Sequence, residues 1–379
     1  MKSKMLFALI AALLACTLLV SSVFAYEDFD EYPHPIVRED GKLKVAVISQ
    51  SLTVESIYRW DWQMQIECAH RGWEYLQLCY NTTDNYEAVF TSALNQGADV
   101  IVLINTASSA QWADLYNMAR EEGVGVYALD GGYGSYVAGV MSPGATMMSE
   151  LLYQIGIDYN WDADCGVIRC DIQQGSRDRT FPLLGFFEHE AYPNMKLLVT
   201  EDISAIYQAL GGTMMAGQEV VKGWMEKYGT DLQVIFSYGD NSAMGATEAI
   251  MATGDKTGEH TIVVGIDGGK QSWSYIREGS PLKYSYAQGF EYQSHILANI
   301  IEQIQVKGLN PGDPGCDILR PHSMLYVKGG LVSIDNVPEI GTSIHTAFDY
   351  YDPNVTDPEL AWWNWTDGPG IYMVEAYQK

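Results

Sequence analysis

The chain is short of positive charge. Its 379 residues hold 22 Lys and Arg against 48 Asp and Glu, a formal net charge of −26. A surface of that sign repels phosphate backbones and anionic membranes, which argues against nucleic acid as a partner. Charge of either sign is sparse: 18% of residues are charged and 47% apolar, the composition of a globular protein rather than a disordered one. Cysteine is scarce at six residues, and no cysteine spacing resembles a zinc site, so no metal or cofactor is expected. The seven His are scattered. None stands beside a Ser or Cys nucleophile pattern, there is no His-x-x-x-His, and no glycine loop is shaped to cradle phosphate. These absences argue against an enzyme. Asp130 and Asp267 are the one pair that could act as acid and base on a glycoside, given a suitable carboxylate spacing.

Long apolar runs are missing as well, except at the start. Lys2 and Lys4 precede an apolar run from Met5 to Val20, and Ser21-Ser22-Val23-Phe24-Ala25 follows. A positive start, an apolar middle and small residues at the end describe an export signal, with cleavage expected after Ala25. The alternative is Leu13-Leu14-Ala15-Cys16, in which Cys16 would carry a lipid; the apolar residues after it make a poor tether. A periplasmic or extracellular location follows. Without Cys16 five cysteines remain, an odd count that leaves at least one thiol unpaired within the chain. Cys165 and Cys170 flank a strand-like segment that holds their α-carbons too far apart for a bridge, and buried, reduced thiols are expected.

What is present is a repeated pattern. Leu43–Ser49, Ala98–Ile104, Gly125–Leu129, Leu232–Ser237 and Thr261–Ile266 are apolar runs of buried parallel-strand character. Each leads through a polar turn into a helical stretch. Strand–helix alternation of this kind over a chain of this length predicts α/β architecture: two doubly wound parallel-sheet lobes joined by a hinge, with a cleft between them. The expected division is a signal peptide at 1–25 and a lead-in at 26–42. The N-terminal lobe takes 43–130 with about 289–320, and the C-terminal lobe takes 141–287 with about 323–332. An aromatic tail at 333–379, carrying Trp362-Trp363-Asn364-Trp365, is expected to pack on a lobe. The glycine-rich stretch Gly131–Pro143 reads as the crossing, Asp171–Arg179 as a polar loop, and Phe181–Ala191 as the helix after it.

Ligands of open parallel sheets bind at the carboxyl ends of the strands. That rule selects Asn105, Asp130, Asp240, Asp267 and Gln288, each at or just after a strand end. For Asp240, capping the following helix competes with ligand contact.

An exported two-lobed α/β chain with Gly239-Asp240-Asn241-Ser242-Ala243-Met244-Gly245-Ala246 and Val264-Gly265-Ile266-Asp267-Gly268 resembles the ribose-type sugar-binding proteins of ABC transporters, which are type I periplasmic binding proteins. The resemblance covers about Leu43 to Gly330 and lies in the order of segments more than in any one motif. No helix-turn-helix segment precedes it, which sets the related repressors aside. It implies that Asn105, Asp130, Asp267 and Gln288 bind sugar hydroxyls, and that an aromatic pair, displaced here so that Tyr58 and Trp60 are its nearest candidates, covers a ring face. Packing within the lobe is the alternative for both, and Trp62 is expected in the core. It further implies hinge closure on the ligand, delivery to an ABC permease, and a monomer. Three departures stand out: Gly239 where the family has Asn, and Gly131 and Pro182 where it has Arg. Arg177 or Arg179 could reach the cleft from a nearby loop, Arg179 being the chosen candidate. The missing guanidinium forks point to a ligand other than the common pentoses and hexoses. Presentation to a chemoreceptor or sensor kinase, or binding of a non-sugar such as a nucleoside, are the alternatives.

Overall fold

A computed structural model describes residues 35–105, 112–131, 134, 136–189 and 192–337. The expected signal peptide with Cys16, the lead-in as far as residue 34 and the tail beyond 337 lie outside the described residues. Among the described residues no helix is long and apolar enough to cross a membrane.

The first lobe opens with β1 (Lys44–Ser49), α1 (Glu55–Arg71), β2 (Glu74–Cys79), α2 (Tyr86–Asn95), β3 (Val100–Ile104), α3 (Ala113–Glu121), β4 (Gly125–Leu129) and β5 (Ala138–Met141). The second follows with α4 (Gly144–Asp158), β6 (Ala163–Arg169), α5 (Gln174–Phe187), β7 (Met195–Asp202), α6 (Thr213–Tyr228), β8 (Val234–Ser237), α7 (Asp240–Ala252), β9 (Ile262–Asp267), α8 (Lys270–Arg277) and β10 (Leu282–Ala287). Then come α9 (Phe290–Gln305), β11 (Ser323–Tyr326) and β12 (Gly330–Val332). Two six-stranded sheets result, ordered β11-β5-β4-β3-β1-β2 and β12-β10-β9-β8-β6-β7. Every described pairing is parallel except β10 with β12.

The central strands are fully apolar because helices cover both faces of each sheet. In the first lobe Val45, Val47, Val100 and Val102 point to one face, where Trp60 and Met64 of α1 meet Leu297, Ile300, Ile301 and Ile304 of α9. Ala46, Ile48, Ile101 and Leu103 point to the other, against Tyr86, Phe90 and Tyr116. The second lobe repeats this, with Ile235 and Val263 facing α6 and α7, and Phe236 and Val264 facing α4 and α5. Within the described residues the chain passes between lobes three times: after β5, after β10, and between β11 and β12.

Three expectations need correction. Residues 323–326, assigned to the C-terminal lobe, pair with β5 in the first sheet; only β12 joins the second. The stretch 131–143 therefore holds a strand, not merely a crossing. Gly139 serves packing: a β-carbon there would lie 2.5 Å from the Met324 side chain. The helix after β6 also begins at Gln174, inside the expected loop. Its first half is polar because it faces the cleft, and polarity alone does not separate a loop from a cleft-facing helix. The five cysteines within the described residues are free, with Cys68, Cys165 and Cys170 buried.

Candidate functional site

A cavity of about 390 Å³ lies between the lobes, within the range of small-molecule sites. Its walls are the turns at the carboxyl ends of the strands. The first lobe contributes Gln50 and Ser51 after β1, Asn81 after β2, Asn105 after β3 and Asp130 after β4. The second contributes Gln173, Ser176 and Arg179 after β6, Tyr238 and Gly239 after β8, and Asp267 closing β9.

The backbone marks the same place. Of the seven described non-glycine residues with positive φ, four border the cavity: Asn81 at 56°, Asn105 at 44°, Asp130 at 51° and Asp267 at 139°. Asn and Asp tolerate the left-handed region better than other residues with a β-carbon, and Asp267 lies beyond even that region. Conformations of this kind cost on the order of 1–3 kcal/mol each and concentrate where a side chain must be aimed.

Arg179 is the centre of the site. Its guanidinium donates from Nη1 to the Tyr238 carbonyl at 2.7 Å, and lies 3.5 Å from Asp267 Oδ1 and 3.9 Å from Asp130 Oδ2. It thus sits between one carboxylate from each lobe. It is buried, it is the one Lys or Arg bordering the cavity among the described residues, and its Nε finds no acceptor among them. Burial raises Asp130 to about 6; Arg179 opposes the rise and Asp178 adds to it. Burial likewise raises Asp267 to about 7, with Arg179 opposing and Asp240 adding. The Asp267 side chain keeps 25% of its surface exposed, so water tempers that rise.

The other expected residues take different places. Gln288 is buried and does not border the cavity. Its Nε2 donates to Asp267 Oδ1 at 2.7 Å and its backbone N–H to the Asp267 carbonyl at 3.1 Å, so it aims Asp267. Trp60 is a core residue with one side on the cavity: it packs edge-on against Phe290 at 4.5 Å, and Nε1 donates to Gln293 Oε1 at 3.0 Å. Gln293 in turn donates to Ser142 Oγ, at the first passage between the lobes.

Asp240 is a correction. It is buried away from the main cavity, and its carboxylate accepts from the N–H groups of Gly268 and Gly269 and from the hydroxyls of Ser272 and Ser285. It holds the turn after β9 in shape. Burial pushes its pKa up and these four donors pull it down. Tyr58 is a second correction: it is exposed and does not border the cavity. On α1 the core face runs through Ile57, Trp60 and Met64, and Tyr58 falls off that stripe.

Gly239 has its own explanation. A β-carbon there would lie 3.3 Å from Asp267 Oδ2, so any larger residue would crowd the carboxylate. The residues that sequence reasoning passed over, chiefly Gln50, Asn81, Tyr238 and Ser176, follow strand ends like those that it found. The strand-end rule applied to every strand would have included the first three.

No protein-family model matches the chain, and no curated protein does. Among solved structures, an arabinose-binding protein from Geobacillus stearothermophilus superposes with a TM-score of 0.63 at 17% identity, over 78% of this chain and 98% of that one. A solute-binding protein of an ABC transporter from Bacillus halodurans C-125, with bound myo-inositol, gives 0.62 at 18% identity over 79% and 97%. Another from Agrobacterium vitis, with bound allitol, gives 0.64 at 17% identity over 78% and 97%. The fold of this chain is therefore the two-lobed α/β fold of these solute-binding proteins.

Proposed function

We propose that the chain is an extracytoplasmic solute-binding protein that captures a small neutral hydroxylated ligand, a sugar or polyol, between its lobes. The observation that carries this is the convergence of Asp130 from one lobe with Arg179 and Asp267 from the other on a polar interlobe cavity. Hydroxyls both donate and accept. They match carboxylates, the amides of Asn81 and Asn105, and a guanidinium with a free N–H. Desolvated bonds to charged partners contribute about 1.5–3 kcal/mol each. An anionic ligand would find one cation already flanked by two acids, so the wall disfavours it. Solved proteins with this fold carry sugars and polyols, which supports the same class.

A ligand that touches both lobes binds the closed state better than the open one and shifts the equilibrium by that difference. In this reading the closed monomer docks on an ABC permease and releases its cargo. The chain is exported by its N-terminal segment, with cleavage after Ala25; N-terminal sequencing of the exported protein reads that site directly.

The test is a thermal-shift screen of the mature chain against sugars, polyols, nucleosides and amino acids. A ligand at one hundred times its Kd adds about 2.7 kcal/mol. A sugar or polyol is expected to raise the midpoint, and Asp267→Ala to abolish the rise. If only a nucleoside or amino acid raises it, the ligand class is wrong.

A further inference from the structure

Beside the main cavity, beyond Asp267, the two lobes touch through contacts that involve no ligand. Helix α8 of the second lobe begins at Lys270, after an N-cap, Gly269, that has no side chain to cap with. Such an end leaves backbone N–H groups unsatisfied and carries partial positive charge. The cap comes from the other lobe: both carboxylate oxygens of Glu55, the first residue of α1, accept from the Lys270 N–H at 3.0 and 3.1 Å. One turn further along α1, Arg59 donates from Nη1 to the Gly268 carbonyl at 3.2 Å. The rest of its guanidinium is committed to its own lobe, bonded to Glu291 at 2.6 and 2.9 Å and lying over the Phe290 ring. Glu55 and Arg59 therefore hold the two ends of the three-residue turn Gly268 to Lys270, by the carbonyl of the first and the N–H of the last.

These three residues directly follow Asp267. From inside the second lobe they are held by Asp240, which accepts from the N–H groups of Gly268 and Gly269. The turn that aims Asp267 is thus fixed from its own lobe by Asp240 and from the opposite lobe by Glu55 and Arg59.

We infer that Glu55 and Arg59 form a ligand-independent clamp between the lobes, which holds the cleft near closure in the empty protein and positions the turn carrying Asp267. They are positioning residues, and neither needs to touch a ligand. The importance for Asp267 rests on the reading of the cleft as the ligand site; the clamp itself does not.

The experiment uses ligand-free protein, so the clamp and the ligand class can fail separately. Lys270→Pro removes the one N–H that Glu55 accepts. Proline is favoured at the first position of a helix, and Gly269 at φ −78°, ψ 153° already has the conformation a following proline requires. Lys270→Ala keeps the N–H and serves as the control. Small-angle X-ray scattering should show a larger radius of gyration for Lys270→Pro and for Glu55→Ala, with Lys270→Ala and Glu55→Gln as compact as the parent. Amide exchange at Gly268 and Gly269 should quicken roughly tenfold in the first pair, a loss of about 1.4 kcal/mol of protection. A plain helix-capping role would lower the melting midpoint and leave the scattering unchanged. Parental scattering from both Lys270→Pro and Glu55→Ala overturns the clamp.

Discussion

Asp240 and Asp267 follow adjacent strands of the same lobe, are both largely buried, and are in opposite situations. Asp240 accepts from two backbone N–H groups of the turn after β9 and from the hydroxyls of Ser272 and Ser285, all in its own lobe, and it does not border the main cavity. Asp267 has one amide, a guanidinium at 3.5 Å and an open face on the cavity. The first carboxylate builds the site; the second is what the building presents. Two acids that look alike in sequence are separated by how many donors their own lobe supplies.

The largest expected effect breaks this contrast directly. Asp240→Ala leaves buried donors without an acceptor and should cost about 3 kcal/mol or more, a fall of roughly 4 °C or more in the melting midpoint. Asp267→Ala should change the ligand-free midpoint far less, since it deprives one buried amide, that of Gln288, of its acceptor while removing an acid whose burial opposes its charge. Equal falls in calorimetry would erase the distinction.

Arg179→Met comes next. It strips the cation from between Asp130 and Asp267 and should weaken ligand binding by at least about tenfold, near the 1.5–3 kcal/mol of a charged hydrogen bond. Arg179→Lys should not restore it, because a point charge lacks the planar fork. Titration calorimetry with whichever compound the screen identifies measures both. Full binding by the Met variant would remove Arg179 from the site.

A smaller effect is in pH. Asp130 and Asp267 are raised to about 6 and about 7, from about 4 in the unfolded chain. Between those values the folded chain holds protons that the unfolded chain has released. The stability these groups contribute is complete below about pH 4 and is lost as pH rises through 6 and 7. The ligand-free midpoint should fall across that window by this mechanism, and Asp130→Asn with Asp267→Asn should flatten part of the fall. Asp61, buried against the Tyr75 hydroxyl and also raised to about 6, should keep the remainder. An unchanged slope in the double variant would show that neither acid is raised.

The smallest is Tyr58→Ala, expected within about 0.5 kcal/mol of the parent in stability and unchanged in ligand response. A lost response would return Tyr58 to the site.

How much of this was legible follows from the same physics. Apolar runs ending in Asn105, Asp130 and Asp267 were readable because a strand covered on both faces must be apolar, and its polar terminus must face an opening. The direction of a side chain after a strand end was not readable. Asp240 turns inward and Gln288 turns onto Asp267, and both orientations depend on neighbours far along the chain. Arg179 was noticed as a nearby cation, but the expected loop hid its position on α5, where helical geometry carries it to the two acids. Strand β5 escaped because Ala138-Gly139-Val140-Met141 is short and lies in a stretch rich in Gly and small residues, and one of its two partner strands, β11, begins only at Ser323.

That last separation has a consequence for how the molecule comes into being. The first lobe obtains its covering helix α9 and its edge strand β11 only after β6 to β10 of the second lobe have been synthesised, and the second lobe in turn waits for β12. Until then, Val47, Val102 and Trp60 lack the α9 side chains they pack on. Each lobe therefore completes its core only near the end of the chain, the first with α9 and the second with Val332 of β12, and contacts of such long sequence separation fold slowly. If the chain is exported as proposed above, it would begin to cross with its first half unable to finish folding, the condition in which a chain is still threadable.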